Sequence, residues 1–314
     1  MLHSRLVTGI WHEILAGVQR LTTARPPYAI AAVALYVTSV GIVGARWRSF
    51  VRMVGGAVGL WRATLATLAG IAAANLTPSS RLSGEACRIV IGRTGGSVTW
   101  RQATIATVWD RLSEVPPIAV LAIMAALAAR HLASSTRSIV FAASLAVGMI
   151  GLAIALRAIR KSDGRLRVWR DKLALDTVSA RAFCTGVGCS SLLWLQDFLR
   201  LRCAALAFGV ALSPTQTAAL SILAMLGGLA PTVGGLGAVE GGLMSGLMAF
   251  GVDFPTAAAV TALERAISFG LSTCAGLTVI ALVGGRSLWS GLRTGTVRDQ
   301  PERAFRAGEA GDVV

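Results

Sequence analysis

The sequence predicts an all-α polytopic membrane protein of about eight transmembrane helices, with an internal repeat and re-entrant or broken helices. Three observations carry that prediction. Composition is the first: 54% of the 314 residues are hydrophobic and only 14% are charged, against about 25% charged in a soluble domain. Mean hydropathy is +0.66, and several apolar runs approach the ~20 residues that cross a bilayer. The second is the stretch Pro231–Arg265, PTVGGLGAVEGGLMSGLMAFGVDFPTAAAVTALER. It holds a glycine-rich breaker (Gly234, Gly235, Gly237), a lone carboxylate, Glu240, and the adjacent pair Glu264 and Arg265, all within apolar sequence. Proline and glycine interrupt helices. Broken backbone at membrane depth survives only where protein or a watery cavity covers it, and charges there face a cavity or a partner. The third is a repeat. From Asn75 the chain reads NLTPSSRLSGEACRIVIGRTGGSVTWRQATIATVWDR, in which Pro78 matches Pro231, Gly84 and Glu85 fall near Gly237 and Glu240, and Asp110 and Arg111 match Glu264 and Arg265. The spacings agree: 111 − 78 = 33 against 265 − 231 = 34, and 111 − 85 = 26 against 265 − 240 = 25. Transporters are commonly built from such repeats, with the site at their interface.

Taken in order, residues 1–25 lack the continuous apolar core of a signal peptide and are expected to form an amphipathic cytoplasmic segment. The membrane domain spans 26–285, with repeat halves at about 54–129 and 201–284. Tyr28–Ala45 is the first apolar run, closed by Arg46, Trp47 and Arg48, and Val54–Ala74 is the second. Leu76–Thr99 is too polar to cross alone and suits a re-entrant, cavity-lining hairpin. Trp100–Ala129 is a discontinuous helix interrupted by Pro116 and Pro117, and Ser138–Leu156 is a clean span. Arg157–Lys172 is the most basic loop, placed in the cytoplasm by the positive-inside rule. Leu173–Leu199 reads as a helix with one polar face, and Leu201–Ala230, broken by Pro214, reads as one kinked crossing or two short segments. That ambiguity leaves the repeat's handedness, inverted or parallel, open. Phe254–Val283 is a long span, and 286–314 is a polar cytoplasmic tail.

The net charge of +15 comes from 30 Lys+Arg against 15 Asp+Glu. In a soluble chain it would suggest nucleic acid; no basic–aromatic interleaving supports that here, and basic cytoplasmic loops facing anionic lipid account for it. The five cysteines form no CxxC pair and read as small packing residues. No metal-ligand spacing and no cofactor motif is present. Trp47, Trp61, Trp100, Trp169 and Trp289 lie near predicted boundaries, as in an aromatic belt, and Gly241, Gly242 and Gly246 suit close helix packing.

Asp110 and Glu114 share a helix face, whereas Arg111 points about 100° away. The expectation is that Arg111 and Arg265 face a shared cavity, with Glu85 and Glu240 on the broken segments beside it, and Asp110 and Glu264 paired alongside. Arginine forks match phosphate. Glycines such as Gly235 and Gly237 would let backbone N–H groups approach an anionic headgroup. The competing expectation is purely structural: Glu240–Arg111 or Glu85–Arg265 as ion pairs stapling the two halves. Asp253 is expected to sit in an interfacial turn.

These residues resemble the lysylphosphatidylglycerol synthase transmembrane family, also called the flippase-like membrane family. The late hallmark is Pro, a small spacer, Gly-Gly-x-Gly and a glutamate, here PTVGGLGAVE (Pro231–Glu240), followed by a helical Arg matching Arg265. The early hallmark is matched by Asn75, Pro78 and the SRLSGEACR of Ser80–Arg88, with one residue more than the family spacing. The resemblance covers roughly Val54–Leu288. It implies a bacterial inner-membrane protein that moves a lipid or lipid-linked molecule, phospholipid or isoprenoid-type, between leaflets. Relatives that aminoacylate lipids carry a large soluble domain after the membrane region. Only a short tail follows Gly284 here, so no enzymatic activity is expected. With no P-loop in the sequence, movement would be passive or ion-coupled, with Glu240 or Glu264 as candidate proton carriers. The alternatives are a membrane enzyme subunit using Asp110, Glu114 and Glu240 as acid or base, and a non-catalytic scaffold that engages lipid-biosynthesis enzymes through the loop at Arg157–Lys172.

Overall fold

The computed structural model describes residues 17, 19–78, 80–93, 98–128 and 180–294. The expected span at 138–156, the basic loop at 157–172, residues 1–16 and 18 and the tail beyond 294 lie outside the described residues. Ten α-helices form the described architecture, which among these residues contains no strand. They are α1 (Pro26–Met53), α2 (Leu60–Leu76), α3 (Ser80–Arg93), α4 (Trp100–Leu112), α5 (Val115–Ala128), α6 (Ala180–Ala207), α7 (Pro214–Gly227), α8 (Ala238–Ala249), α9 (Phe254–Arg265) and α10 (Ser272–Thr294). A 3₁₀ turn at Val233–Gly235 precedes α8, and a π-turn at Ala266–Leu271 joins α9 to α10 without a break.

Among the described residues, two helical stretches are long and apolar enough to cross a bilayer, Pro26–Met53 and Phe254–Val283. Helix α6 has the same 28 residues as α1, about 42 Å at 1.5 Å per residue. It carries Arg181, Asp197, Arg200 and Arg202. Arg200 does not end a helix there: α6 runs through it to Ala207, and the next helix starts only at Pro214. Leu201–Ala230 is therefore the end of one long helix, a turn and a short helix. Local chemistry sets these starts. Thr99 and Ser213 each close a capping box with a glutamine three residues on, and Asp253 accepts from the Thr256 N–H. The α4–α5 break falls at Ser113–Glu114, just before Pro116 and Pro117. Proline tolerates a first helical turn because its missing N–H is an orphan there anyway.

The internal repeat is larger than its motifs. Helix starts recur at one offset: 180 − 26, 214 − 60 and 254 − 100 all equal 154. Packing recurs with them. Helix α2 lies on α3 as α7 lies on α8, and α10 covers α2 as α5 covers α7. Core positions correspond too. Trp47, Val51, Val58, Ile89, Ala103 and Ala106 centre one buried cluster, and Leu201, Ala205, Leu212, Leu243, Ala257 and Val260, each 154 positions later, centre the other. The equivalence thus begins at α1 and α6, upstream of the halves that the motifs delimit.

The contacts of α1 with α6 give the repeat its hand. Thr38 meets Gln196 (2.9 Å), Arg46 meets Ser190 (2.7 Å), and the Phe50 ring closes on Gly186. Rising numbers on α1 meet falling numbers on α6, so the two helices are antiparallel. A two-fold that relates antiparallel helices lies perpendicular to them. For helices that cross a bilayer it lies in the membrane plane, the arrangement of inverted-topology repeats. The axis passes where each helix meets its own equivalent, near Gly41 and Leu195 (195 − 41 = 154).

Packing corrects two smaller expectations. Trp47 is fully buried and donates to Thr107 Oγ1 at 3.1 Å, whereas Trp61 and Trp100 are exposed as a belt would have them. Gly246 admits Leu220 too closely for any Cβ, but Gly241 faces open space. The Asp253 cap agrees with a turn residue. The cysteines at 87, 184, 189, 203 and 274 are free thiols.

Candidate functional site

Each half of the molecule carries a carboxylate–arginine pair at its broken segment. In the first, the Arg111 guanidinium on α4 grips Glu85 on α3, with Nε donating at 2.8 Å. In the second, Arg265 Nε on α9 donates to Glu240 on α8 at 2.6 Å. The pairs are equivalent under the repeat, and both close within a half. The cross-half staples Glu240–Arg111 and Glu85–Arg265 are not formed. The reason is local: the α2–α3 and α7–α8 hairpins fold back on their own half, so each glutamate meets the arginine about 25 residues downstream.

Other residues join the halves. Asn75 Nδ2, at the end of α2, donates to Ser272 Oγ (3.0 Å) and Thr273 Oγ1 (2.9 Å) of α10. Arg46 bonds Ser190 across the two-fold, and the Arg200 guanidinium stacks at 5.9 Å on the ring of Tyr36, which occupies the position equivalent to Ser190 (190 − 36 = 154).

Asp110 and Glu264 are buried at 0% and 6% exposure. They do not face a cavity freely, because arginines on the long helices claim them. Arg46 Nε donates to Asp110 at 2.7 Å, and Arg200 Nη1 donates to Glu264 at 2.6 Å. Both partners lie 64 positions apart in sequence. Arg46 also reaches Glu114 (2.6 Å), and Arg88 reaches Asp110 (3.1 Å) and Glu85 (2.6 Å). Three arginines and three carboxylates therefore interlock in the first half. Arg46 and Arg200 were not recognisable as site residues by type, since each looks like the charged end of an apolar run; the signal was their shared offset of 154 from one another, the same as Asp110 to Glu264.

The glycine motif does a different task from the one expected. Gly234, Gly235 and Gly237 have φ of 57°, 72° and 83°, the left-handed region open to glycine. A Cβ on Gly234 would lie 2.7 Å from the Asn75 carbonyl oxygen and against the Phe269 ring. The Gly237 N–H points at a carboxylate already present, Glu240 Oε2 at 2.7 Å, rather than standing free for a headgroup. Arg265 Nη2 donates to the Gly234 carbonyl at 3.0 Å and its guanidinium stacks on Phe269 at 4.9 Å. The broken backbone thus orients Arg265. In the first half, Gly70 and Gly84 let α2 and α3 cross closely; a Cβ on either would lie under 3 Å from the other's carbonyl oxygen. Pro78 and Pro231 are exposed in the turns.

The arginines do not share one cavity. Arg111 lines a first chamber of about 320 Å³ with Arg46, Glu85, Arg88 and Glu114. Arg265 lines a second of about 320 Å³ with Asn75, Arg200, Ser221 and Glu264. The two chambers have Ala74, Trp194 and Asp197 in common, so they meet at one wall. Arg111 is the most open of these guanidiniums at 44% exposure; Arg265 is at 15%. Among the described residues no group of three His, Cys, Asp or Glu is placed to hold a metal.

Comparison with known proteins agrees with this architecture. A UPF0104 membrane protein of Methanothermobacter thermautotrophicus is 27% identical over 296 residues, covering 84% of this chain and 88% of that protein. A UPF0104 membrane protein of Pyrococcus horikoshii is 22% identical over 301 residues, covering 85% of this chain and 90% of its own. The family model for the lysylphosphatidylglycerol synthase TM region matches residues 11–276, which include both glutamate–arginine pairs and the residues that line both chambers. The chain belongs to the family of the lysylphosphatidylglycerol synthase TM region.

Proposed function

We propose that this protein moves a lipid or lipid-linked molecule, phospholipid or isoprenoid-type, between the leaflets of a bacterial plasma membrane, with no chemistry of its own. The observation that carries the proposal is the pair of matching half-sites. An inverted repeat sets Glu85–Arg111 and Glu240–Arg265 around two chambers that meet beside its two-fold axis. Substrate sites of inverted-repeat transporters lie at the repeat interface near the bilayer midplane. Arg111 is held by Glu85 and Glu114 and Arg265 by Glu240, and each opens onto its chamber. A phosphate-bearing headgroup competes for that guanidinium through the same paired hydrogen bonds. The basic segment at 157–172 faces the cytoplasm in this reading, by the positive-inside rule.

The test is retained lipid. Protein purified in mild detergent is compared by native mass spectrometry with the bulk membrane extract, beside Glu240→Gln and Arg265→Ala. A lipid enriched on the parent and lost from both variants is the expected result. A liposome assay of that lipid then measures its movement between leaflets. Bulk-like lipid on all three proteins would move the role of these pairs to stapling and that of the protein to scaffolding.

A further inference from the structure

The two ionic networks differ in balance. The first joins Arg46, Arg88 and Arg111 to Glu85, Asp110 and Glu114. The second joins Arg200 and Arg265 to Asp197, Glu240 and Glu264. Among the described residues, three against three leaves the first neutral, and two against three leaves the second with one negative charge in excess. The repeat shows where the excess enters. Four matched pairs, Arg46/Arg200, Asp110/Glu264, Arg111/Arg265 and Glu85/Glu240, cancel. Arg88 and Glu114, found in the first half alone, also cancel. Asp197 remains, and the position equivalent to it is Val43 (197 − 43 = 154).

Its place is as informative as its charge. Asp197 lies within a turn of Leu195, where the two-fold axis crosses α6, and it lines both chambers. Its carboxylate is 48% exposed and shares Arg200 with Glu264. Half-exposed charge at the middle of a membrane helix faces a cavity, and a charge there without a counter-charge is costly. A second observation points to the same chamber. Ser221, 5% exposed, lines the second chamber, and its Oγ is buried without a hydrogen-bond partner among the described residues.

We infer that the second chamber binds one monovalent cation, held by Asp197 with the Ser221 hydroxyl as a neutral oxygen beside it. The charge has three sources: a proton on the carboxylate, an alkali-metal ion, or an ammonium group. The charged and titratable groups around Asp197 are Arg200 on its own helix, Glu264 and Arg265 on α9 and Tyr36 on α1, with Arg46, Glu85, Arg88, Arg111 and Glu114 lining the first chamber. Bound, the cation cancels the excess of the second network, so that an anionic headgroup meets a half-site without net negative charge. That consequence rests on the lipid-movement reading; the site itself does not.

The test uses no lipid, so it fails separately from that reading. In full-length protein with its five cysteines replaced, Ala224→Cys places one thiol on the second chamber. A cationic methanethiosulfonate is expected to label it about tenfold faster than an anionic one, a difference of ~1.4 kcal/mol, in choline buffer at neutral pH and low ionic strength. Sodium replacing choline, acidification, or added ethanolamine each names its source by abolishing the preference. For acidification, the same change in an Asp197→Asn protein is subtracted, because the thiol titrates too. Asp197→Asn should abolish both the preference and the competition. Equal labelling by the two reagents in the parent, or a preference that survives Asp197→Asn, would overturn the inference. If Asp197→Asn does not fold, Ser221→Ala and Asp197→Glu decide: competition unchanged in both removes the cation from this wall.

Discussion

At the scale of the residue, burial separates the arginines by task. Arg46 is 2% exposed and bonds Asp110, Glu114 and Ser190 at once. Removing it leaves the fully buried Asp110 with a weaker set of partners, a change that costs about 3–5 kcal/mol in buried pairs. Arg46→Ala is therefore expected to lower the thermal midpoint of the detergent-purified protein sharply, and Arg200→Ala to do the same through Glu264. Arg111 is 44% exposed, and exposed pairs contribute about 0–1 kcal/mol. Arg111→Ala should leave the midpoint near the parent while reducing retained lipid. Equal thermal loss in Arg46→Ala and Arg111→Ala would contradict this division. The glutamates fell to the motif in the sequence, and so did Arg111 and Arg265. Asp197 did not, because one carboxylate in a mixed polar helix carries no pattern; its meaning comes from what stands opposite it.

At the scale of the element, each break is made by a named residue, and the breaks differ in tolerance. Gly234 combines a positive φ with backbone contact to Asn75, whereas Gly237 has the same hand of φ and open space around it. Gly234→Ala should destabilise by more than about 1–3 kcal/mol, the usual cost of held backbone strain, and should displace Arg265, which bonds the Gly234 carbonyl. Gly237→Ala, at φ 83° and ψ −45°, should cost the backbone strain alone, about 1–3 kcal/mol, without the added clash at Gly234. Retained lipid and thermal midpoint, measured together, rank the two. Helix α9 starts on Asp253, where burial pushes the carboxyl up slightly but the Thr256 N–H and hydroxyl outweigh it and hold it below the usual carboxylate range. A depressed carboxyl contributes stability above its unfolded value, near 3.9, and loses it as pH falls through its folded one. Asp253→Ala should cost about 1 kcal/mol at neutral pH, with the gap to the parent closing in acid. The turn before α9 was legible at Asp253 and the break before α7 at Pro214. The extent of α6 was not, because two arginines within it look like a boundary until Glu264 and Tyr36 are seen to receive one of them.

At the scale of the whole molecule, the inverted repeat makes a topological prediction. Trp61 and Thr215 begin equivalent helices, 154 positions apart, and should sit on opposite faces of the membrane. In the cysteine-free protein, an impermeant thiol reagent applied to intact cells should label one of Trp61→Cys and Thr215→Cys, and the other only after permeabilisation. Labelling of both from one side would mean a parallel repeat and would undo the placement of the chambers at opposite-facing half-sites.

The sequence by itself determined the class, the repeat motifs and the charged residues worth watching, because composition, breaker residues and spacing are properties of the chain. It also placed the glycine-rich break beside Glu240, since glycine's freedom of φ is local. Only the tertiary structure decided the hand of the repeat, which depends on α1 and α6 running antiparallel. It alone decided which glutamate meets which arginine, because hairpins that fold back on their own half bring together residues about 25 apart rather than equivalents from opposite halves. And it alone set two adjoining chambers beside ionic networks of unequal charge: ion pairing is a matter of distance in space, and sequence records only order.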